Sequence, residues 1–470
     1  MFQRHLLNDG DVEPLADGVY TVLEKVGVLC QNAELLDALD AAGAQVDRAA
    51  ERVRFPRKMQ VEFIEHVRTQ TAAGGDNGDV SFAHIGLPSV GGQVAQFYYD
   101  DATGTRRAGN RADFITLIKL GEVLHGEAGV GHALLLRDVP PMLEPLEAAL
   151  LLVEHATNPG CVFCWNVRLT DYLIEMGDIL GRKHWYSWGA NCFAHPLRFD
   201  RDVADKFVRR IRAGETAGFT AMPVAGMSAP VTLAGFVVVT AAELFATWLL
   251  GRAIVPDAPL GGSMWGGAVD MRGGAVSYCA FDSMLYAYAT VEFVRRWSGV
   301  HVPVGGGEYC DAREPGLYTA LEKAYKAMTI AAFSGRHPSL GSGMLEEGKS
   351  LSPVQLLIER DFAAGIRHLA RTVDTSPEQM ALDEILGVGL GLGMSHMTTD
   401  HTLRHFRDSL WLPEFIDRAG WGGPDAETAI LVKARDKFHS LIEQYEKPAV
   451  DPDTLAALRK VVDRARKELL

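Results

Sequence analysis

From about residue 111 the chain alternates a short apolar run with a helix-length amphipathic segment, eight times over. The runs are GVGHALLL, GCVFCWN, ANCFAHP, GFTAMPV, APLGGSMW, VHVPVGGGEY, SGRHPSLGS and GVGLGLGMSH. The helical segments fall near 144–157, 169–182, 200–213, 229–251, 277–298, 315–333, 352–371 and 397–410, with an extra helix near 376–387. A strand that is apolar throughout is buried on both faces, and a helix between strands is the crossover a parallel sheet needs. Eight such units predict an α/β fold, a (β/α)8 TIM-type barrel over residues 111–423. An open doubly wound sheet is the alternative. It would want a phosphate-binding glycine fingerprint after its first strand, and the sequence has none there.

The flanks read differently. Residues 12–42 carry helical periodicity, ERVRFP is strand-like, and Pro56 opens another helix. VSFAHI and QVAQFYYD are strand-like, with DATGT as a hairpin turn. Residues 1–110 are therefore expected to form an N-terminal accessory layer of helices and a small antiparallel sheet. Residues 424–470 are charged and helical, an extension expected on the outside or against a second subunit of a homo-oligomer.

Charge narrows the partners. A net charge of −14 argues against nucleic acid and against an anionic membrane. The stretch 229–250 approaches the length of a membrane span, but Glu243 and three threonines interrupt it and no basic cluster flanks it, so a packed helix is expected. The first residues lack the apolar core of an export signal, which predicts a cytoplasmic location. Six cysteines in so long a chain read as free thiols rather than a disulfide framework.

In a barrel of this type the chemistry sits at the C-terminal ends of the strands. Those ends carry Phe163, Trp165 and Asn166; Asn191 and His195; Met222 and Gly226; Trp265; Glu308, Tyr309 and Asp311; Arg336 and His337; and His396. Trp265 lies in a loop, residues 259–282, in which six glycines fall within fourteen residues, around Trp265 itself, Asp270 and Arg272. Such a loop can bend sharply and approach a ligand closely. The roster is rich in aromatics and poor in acid–base pairs. Aromatic faces with one or two carboxylates suit a quaternary ammonium, which donates no hydrogen bond and is held by ring quadrupoles at ~0.5–2 kcal/mol each. Ordinary barrel packing of Trp165, Trp265 and Tyr309 is the plainer reading of the same residues.

Two patterns resemble metal sites. Cys161 and Cys164 lie within one strand, where alternation keeps them from converging, and no second pair follows. His401 and His405 share a helix face beside Asp400, but the glutamate of a protease motif is missing between them. Thr398, Thr399 or Asp400 acting as a helix cap, with histidines at the surface, is the preferred reading. The triple glycine 305–307 lacks the Lys and Ser/Thr of a phosphate loop.

The stretches VLEKVGV, MPVAGMSAPVTLAG, VDMRGGA and DHTLRHFRDSLWLPEFIDR carry a likeness that spans nearly the whole chain. The sequence resembles the trimethylamine methyltransferase superfamily, and more closely its members without pyrrolysine, which include glycine betaine:corrinoid methyltransferases. The resemblance implies a (β/α)8 barrel that moves a methyl group from an amine to the cobalt(I) of a cognate corrinoid protein, with cobalamin supplied by that partner and no cofactor bound tightly here. Pyrrolysine would fall near Gly307–Asp311, where this chain has ordinary residues, which points away from trimethylamine itself. A quaternary, betaine-like amine is the expected substrate. Trp165, Trp265, Tyr309, Phe163, Glu308 and Asp270 are expected to line its site, with Arg336, His337 or Arg313 for a carboxylate. The catalytic residues stay open, and no metal is expected. The alternatives are a metal-dependent barrel lyase or hydrolase built on His396, His401 and His405, and a non-catalytic binder of quaternary amines.

Overall fold

The computed structural model describes residues 5–73, 89–125, 129–189, 193–305, 307–334, 340–369 and 371–470. All eight expected helical segments are helices: Glu144–His155, Thr170–Ile179, Arg201–Arg212, Leu233–Ile254, Phe281–Ser298, Leu317–Ser334, Pro353–His368 and Asp400–Ser409. Their starts follow local chemistry. Ser352 Oγ accepts the Gln355 N–H ahead of Pro353, and Thr399 accepts the Thr402 N–H at the start of Asp400–Ser409.

The strands are short and lie in small sheets, none of them closed. Their parallel pairings nevertheless follow one another along the chain. Ala95 bridges Leu134, and Val130 bridges Pro159. Val162–Cys164 pairs with Tyr186–Trp188, and Thr220–Ala221 with Ser263–Met264. Met264 bridges Val304, and Ser350–Leu351 pairs with Phe97–Asp100. The run GVGLGLGMSH, expected as the eighth strand, is not one. The helix Leu382–Val388 takes its first residues, and Leu390 and Leu392 are 90% and 91% exposed. Glycine at every second position leaves one strand face without side chains to pack, so nothing there favours a sheet. VSFAHI and most of SGRHPSLGS lie outside the described residues.

The N-terminal segments hold the helices Val12–Lys25, Ala33–Ala41 and Arg57–Ala73 and contribute strands to two small sheets. Strand Val28–Cys30 pairs antiparallel with Arg52–Arg54 and parallel with Arg198–Phe199. Helix Val12–Lys25 packs on Leu233–Ile254 and Phe281–Ser298 and shares their core, where Trp248 and Trp297 are 1% exposed. A second core cluster joins Phe114, Leu134, Leu152 and Val162 to Leu356, and reaches Phe438 and Val461 of the C-terminal helices Pro424–Glu443 and Pro452–Leu469.

Leu233–Ile254 is, among the described residues, the one helix long and apolar enough to cross a membrane, and 72% of its apolar window is buried within the fold. Its carboxylate, Glu243, is fully buried. It accepts from the Leu197 N–H at 2.6 Å and lies 2.7 Å from His195 Nδ1. A buried charge needs such partners, and here they fasten the segment 195–197 to the helix.

Candidate active site

Trp265 follows the strand Ser263–Met264, and its N–H donates to Ala221 O at 2.8 Å. The indole meets the Tyr309 ring edge to face at 4.6 Å, and Tyr278 meets Tyr309 in the same manner at 6.2 Å. Two glycines allow these approaches. A Cβ on Gly305 would fall 1.7 Å from Trp265 Nε1, and one on Gly348 would fall 2.2 Å from the Tyr309 ring. Gln93 Nε2 donates to the Tyr309 hydroxyl at 2.5 Å. The Tyr278 hydroxyl donates to Met222 O at 3.2 Å. Trp265, Tyr278 and Tyr309 line one narrow pocket together with Met284, Ile330 and Lys326; its cavity volume is about 10 Å³, room for a water molecule as the side chains stand.

Ionisable groups gather around this pocket, and burial dominates all of them. Lys326 Nζ donates to Tyr278 O at 2.6 Å and stands 5.7 Å over the Tyr309 ring. Burial pushes its pKa down. Burial likewise pushes the carboxyls of Glu308, Asp311, Glu322 and Glu347 up. Each shift favours the uncharged form. Ser277 Oγ donates to Asp311 Oδ2 at 2.5 Å, while Glu322 accepts the N–H groups of Asp311 and Ala312 at 3.0 and 2.9 Å. Asp311 Oδ1 and Glu347 Oε1 are buried without a hydrogen-bond partner. The nearby thiols are inert as nucleophiles: burial raises Cys279 to about 11 and Cys310 to about 12.

The other expected residues fall elsewhere. Trp165 and Phe163 stack on each other at 5.9 Å, in a separate group with His132. Trp165 Nε1 donates to Glu144 at 3.2 Å, and the same carboxylate accepts the Leu136 N–H and pairs with His132 Nε2 at 3.0 Å. Among the described residues no ring contact joins this group to Trp265 and Tyr309. Asp270 sits at the exposed tip of the hairpin Gly267–Val269/Val276–Ser277, where it receives the Arg272 N–H and guanidinium at 2.9–3.0 Å. It closes its own turn and does not line the pocket. Arg336 and His337 lie outside the described residues.

Of the histidines of the metal reading, His401 and His405 stand with their rings 4.4 Å apart and turn to the carbonyl and the side chain of Glu378, whereas His396 pairs with Glu384. Among the described residues no group of three or more His, Cys, Asp and Glu is placed to hold a metal ion. Cys161 and Cys164 are free, the first exposed and the second buried.

Lys326, Tyr278 and Gln93 were not singled out from the sequence. For Lys326 a signal existed: it sits in a helix whose buried stripe holds Ala320, Ala327 and Ile330. A lysine buried at that period marks a site rather than a solvated face.

The family model for trimethylamine methyltransferase (MTTB) matches residues 2–469. The chain belongs to that family and is a methyltransferase. Glycine betaine methyltransferase of Desulfitobacterium hafniense is 22% identical over 99% of this chain and 98% of its own length. Trimethylamine methyltransferase MttB of the same species is 20% identical over 98% and 94%. Trimethylamine methyltransferase MttB2 of Methanosarcina mazei is 27% identical, but that match spans 58% of this chain and about half, 54%, of the relative.

Proposed function

We propose that this methyltransferase takes a methyl group from a quaternary, betaine-like amine at the pocket of Trp265, Tyr278 and Tyr309, and delivers it to the cobalt(I) of a corrinoid carried by a separate protein. The observation that carries the reading is the edge-to-face pair of Trp265 and Tyr309 at 4.6 Å on a common pocket. Such rings hold a cation that cannot donate a hydrogen bond. The full-length match to a glycine betaine methyltransferase supports a betaine-like substrate. The scaffold we propose is a (β/α)8 barrel, supported by the parallel pairings from Ala95 to Ser350 and by the eight alternating helices.

The chemistry fits the residues present. A quaternary nitrogen leaves as a neutral amine, so the step needs no proton donor. Positive charge on that nitrogen fades as the carbon departs, so a strongly anionic cage would favour the ground state and slow transfer. Carboxyls held toward their neutral forms give the substrate a dry site with little fixed charge. The test is to mix the protein with reduced cobalamin and a panel of quaternary and tertiary amines, and follow the cobalt(I) spectrum. Conversion to methylcobalt(III) with a quaternary amine is expected. Tight amine binding without conversion would overturn transfer in favour of a simple binder.

A further inference from the structure

The helix Leu317–Ser334 carries two buried lysines, Lys323 at 0% and Lys326 at 3% exposure. Their surroundings differ. Lys323 Nζ donates to Glu359 Oε1 at 2.5 Å, and the other oxygen of that carboxylate accepts the Gly343 N–H at 3.0 Å. Its charge is matched inside the fold. Lys326 Nζ donates to the Tyr278 carbonyl at 2.6 Å, and among the described residues no carboxylate pairs with it. Glu308 and Asp311 act on its charge only from farther off. An ammonium has three N–H donors, and one backbone oxygen takes one of them. A buried charge without a counter-charge is costly, so folds pair it or neutralise it. Burial does push Lys326 toward its neutral form, and an anion beside it would hold it charged.

The pocket is where such an anion would arrive. Among the described residues Lys326 is the one basic side chain on its lining, and it stands 5.7 Å over the Tyr309 ring. Arg313, expected from the sequence for a carboxylate, is exposed and does not reach the lining. We propose that Lys326 Nζ binds the carboxylate of a zwitterionic substrate whose quaternary nitrogen rests against Trp265 and Tyr309, and so selects amines with an anion close to nitrogen over amines that carry the cation alone. The inference rests on the quaternary-amine reading given above. A carboxylate oxygen about 2.8 Å from Nζ and a nitrogen within about 6 Å of a ring centroid suit a link of one or two carbons between them. A ligand with the cation alone would set two like charges in one dry pocket, and only loss of the lysine's proton would relieve them. The carboxylate removes that conflict. As the side chains stand there is room for a water-sized group, so the rings must part to admit the whole ligand.

The test is calorimetry on the full chain with two probes, trimethylglycine and its amide, which keeps the cation and loses the anion. The wild type is expected to bind trimethylglycine ~10–100-fold more tightly, the range of a charge-assisted hydrogen bond. Lys326→Met should bring that ratio near unity. Lys326→Gln, with a polar end, should lower it too and serves if the methionine variant does not fold. A purely structural lysine would move both affinities together and spare the ratio. Trp265→Ala should weaken both probes alike, because it touches only the cation. No preference in the wild type, or a preference that survives in a folded lysine variant, would overturn the role of Lys326 and leave the amine pocket standing. Binding of neither probe, or Trp265→Ala without effect on either, would overturn the quaternary-amine reading and this inference with it.

Discussion

The indole N–H of Trp165 is satisfied by a buried carboxylate, whereas the indole of Trp265 lies edge-on to a phenol ring and against a bare glycine. Both tryptophans sit just after short strands with parallel partners, and from the sequence they look alike. The difference is in what surrounds them. Glu144 gathers Trp165, His132 and the Leu136 N–H into a closed network that leaves its carboxylate no role but structure. Around Trp265 the polar groups are held toward neutrality, and two carboxylate oxygens lack partners. A satisfied network stiffens a scaffold; an unsatisfied one beside a pocket marks a place for a ligand.

The largest expected effect tests the structural half of this contrast. Glu144→Ala leaves three donors without an acceptor and should cost ~3–5 kcal/mol of stability by chemical denaturation. Next, Trp265→Ala should weaken quaternary-amine binding by ~1–3 kcal/mol in calorimetry, while Trp165→Ala leaves the affinity unchanged. The reverse pattern would move the site to the Trp165 group. Asp311→Asn sharpens the electrostatic half. The Asp311 carboxyl titrates higher when folded than when unfolded, so between those two values the folded chain keeps a proton that the unfolded chain has lost. Stability therefore falls as pH rises through that window. Asparagine removes this contribution, so the variant should show a shallower decline and greater stability at neutral pH; an unchanged slope in urea titrations across the window would reject the assignment. The smallest effect belongs to Tyr309→Phe. It keeps the ring and loses the Gln93 hydrogen bond, about 0.5–1.5 kcal/mol in stability, with amine affinity nearly unchanged.

The helices were legible because their apolar period persists over ten or more residues, as in Phe281–Ser298 and Pro353–His368. The strands were harder. Several are two residues long, such as Ser263–Met264, and their pairing is set by distant segments. GVGLGLGMSH misled because apolar content alone does not make a strand when four of its ten positions are glycine. At the site, Trp265, Tyr309 and Glu308 were readable as strand-end residues, and Trp265 and Tyr309 do meet. Asp270 misled because an Asp and an Arg two residues apart in a glycine-rich turn satisfy each other first. Tyr278 and Lys326 escaped notice because they reach the pocket from a helix entrance and a helix interior, where no strand-end rule applies.

Burial holds the carboxyls around Tyr309 toward their protonated forms. A guest whose charge is permanent would weaken that hold as it entered, driving protons out into the buffer. Its apparent grip on the protein would then tighten as the medium became more alkaline, although the guest itself has nothing to titrate.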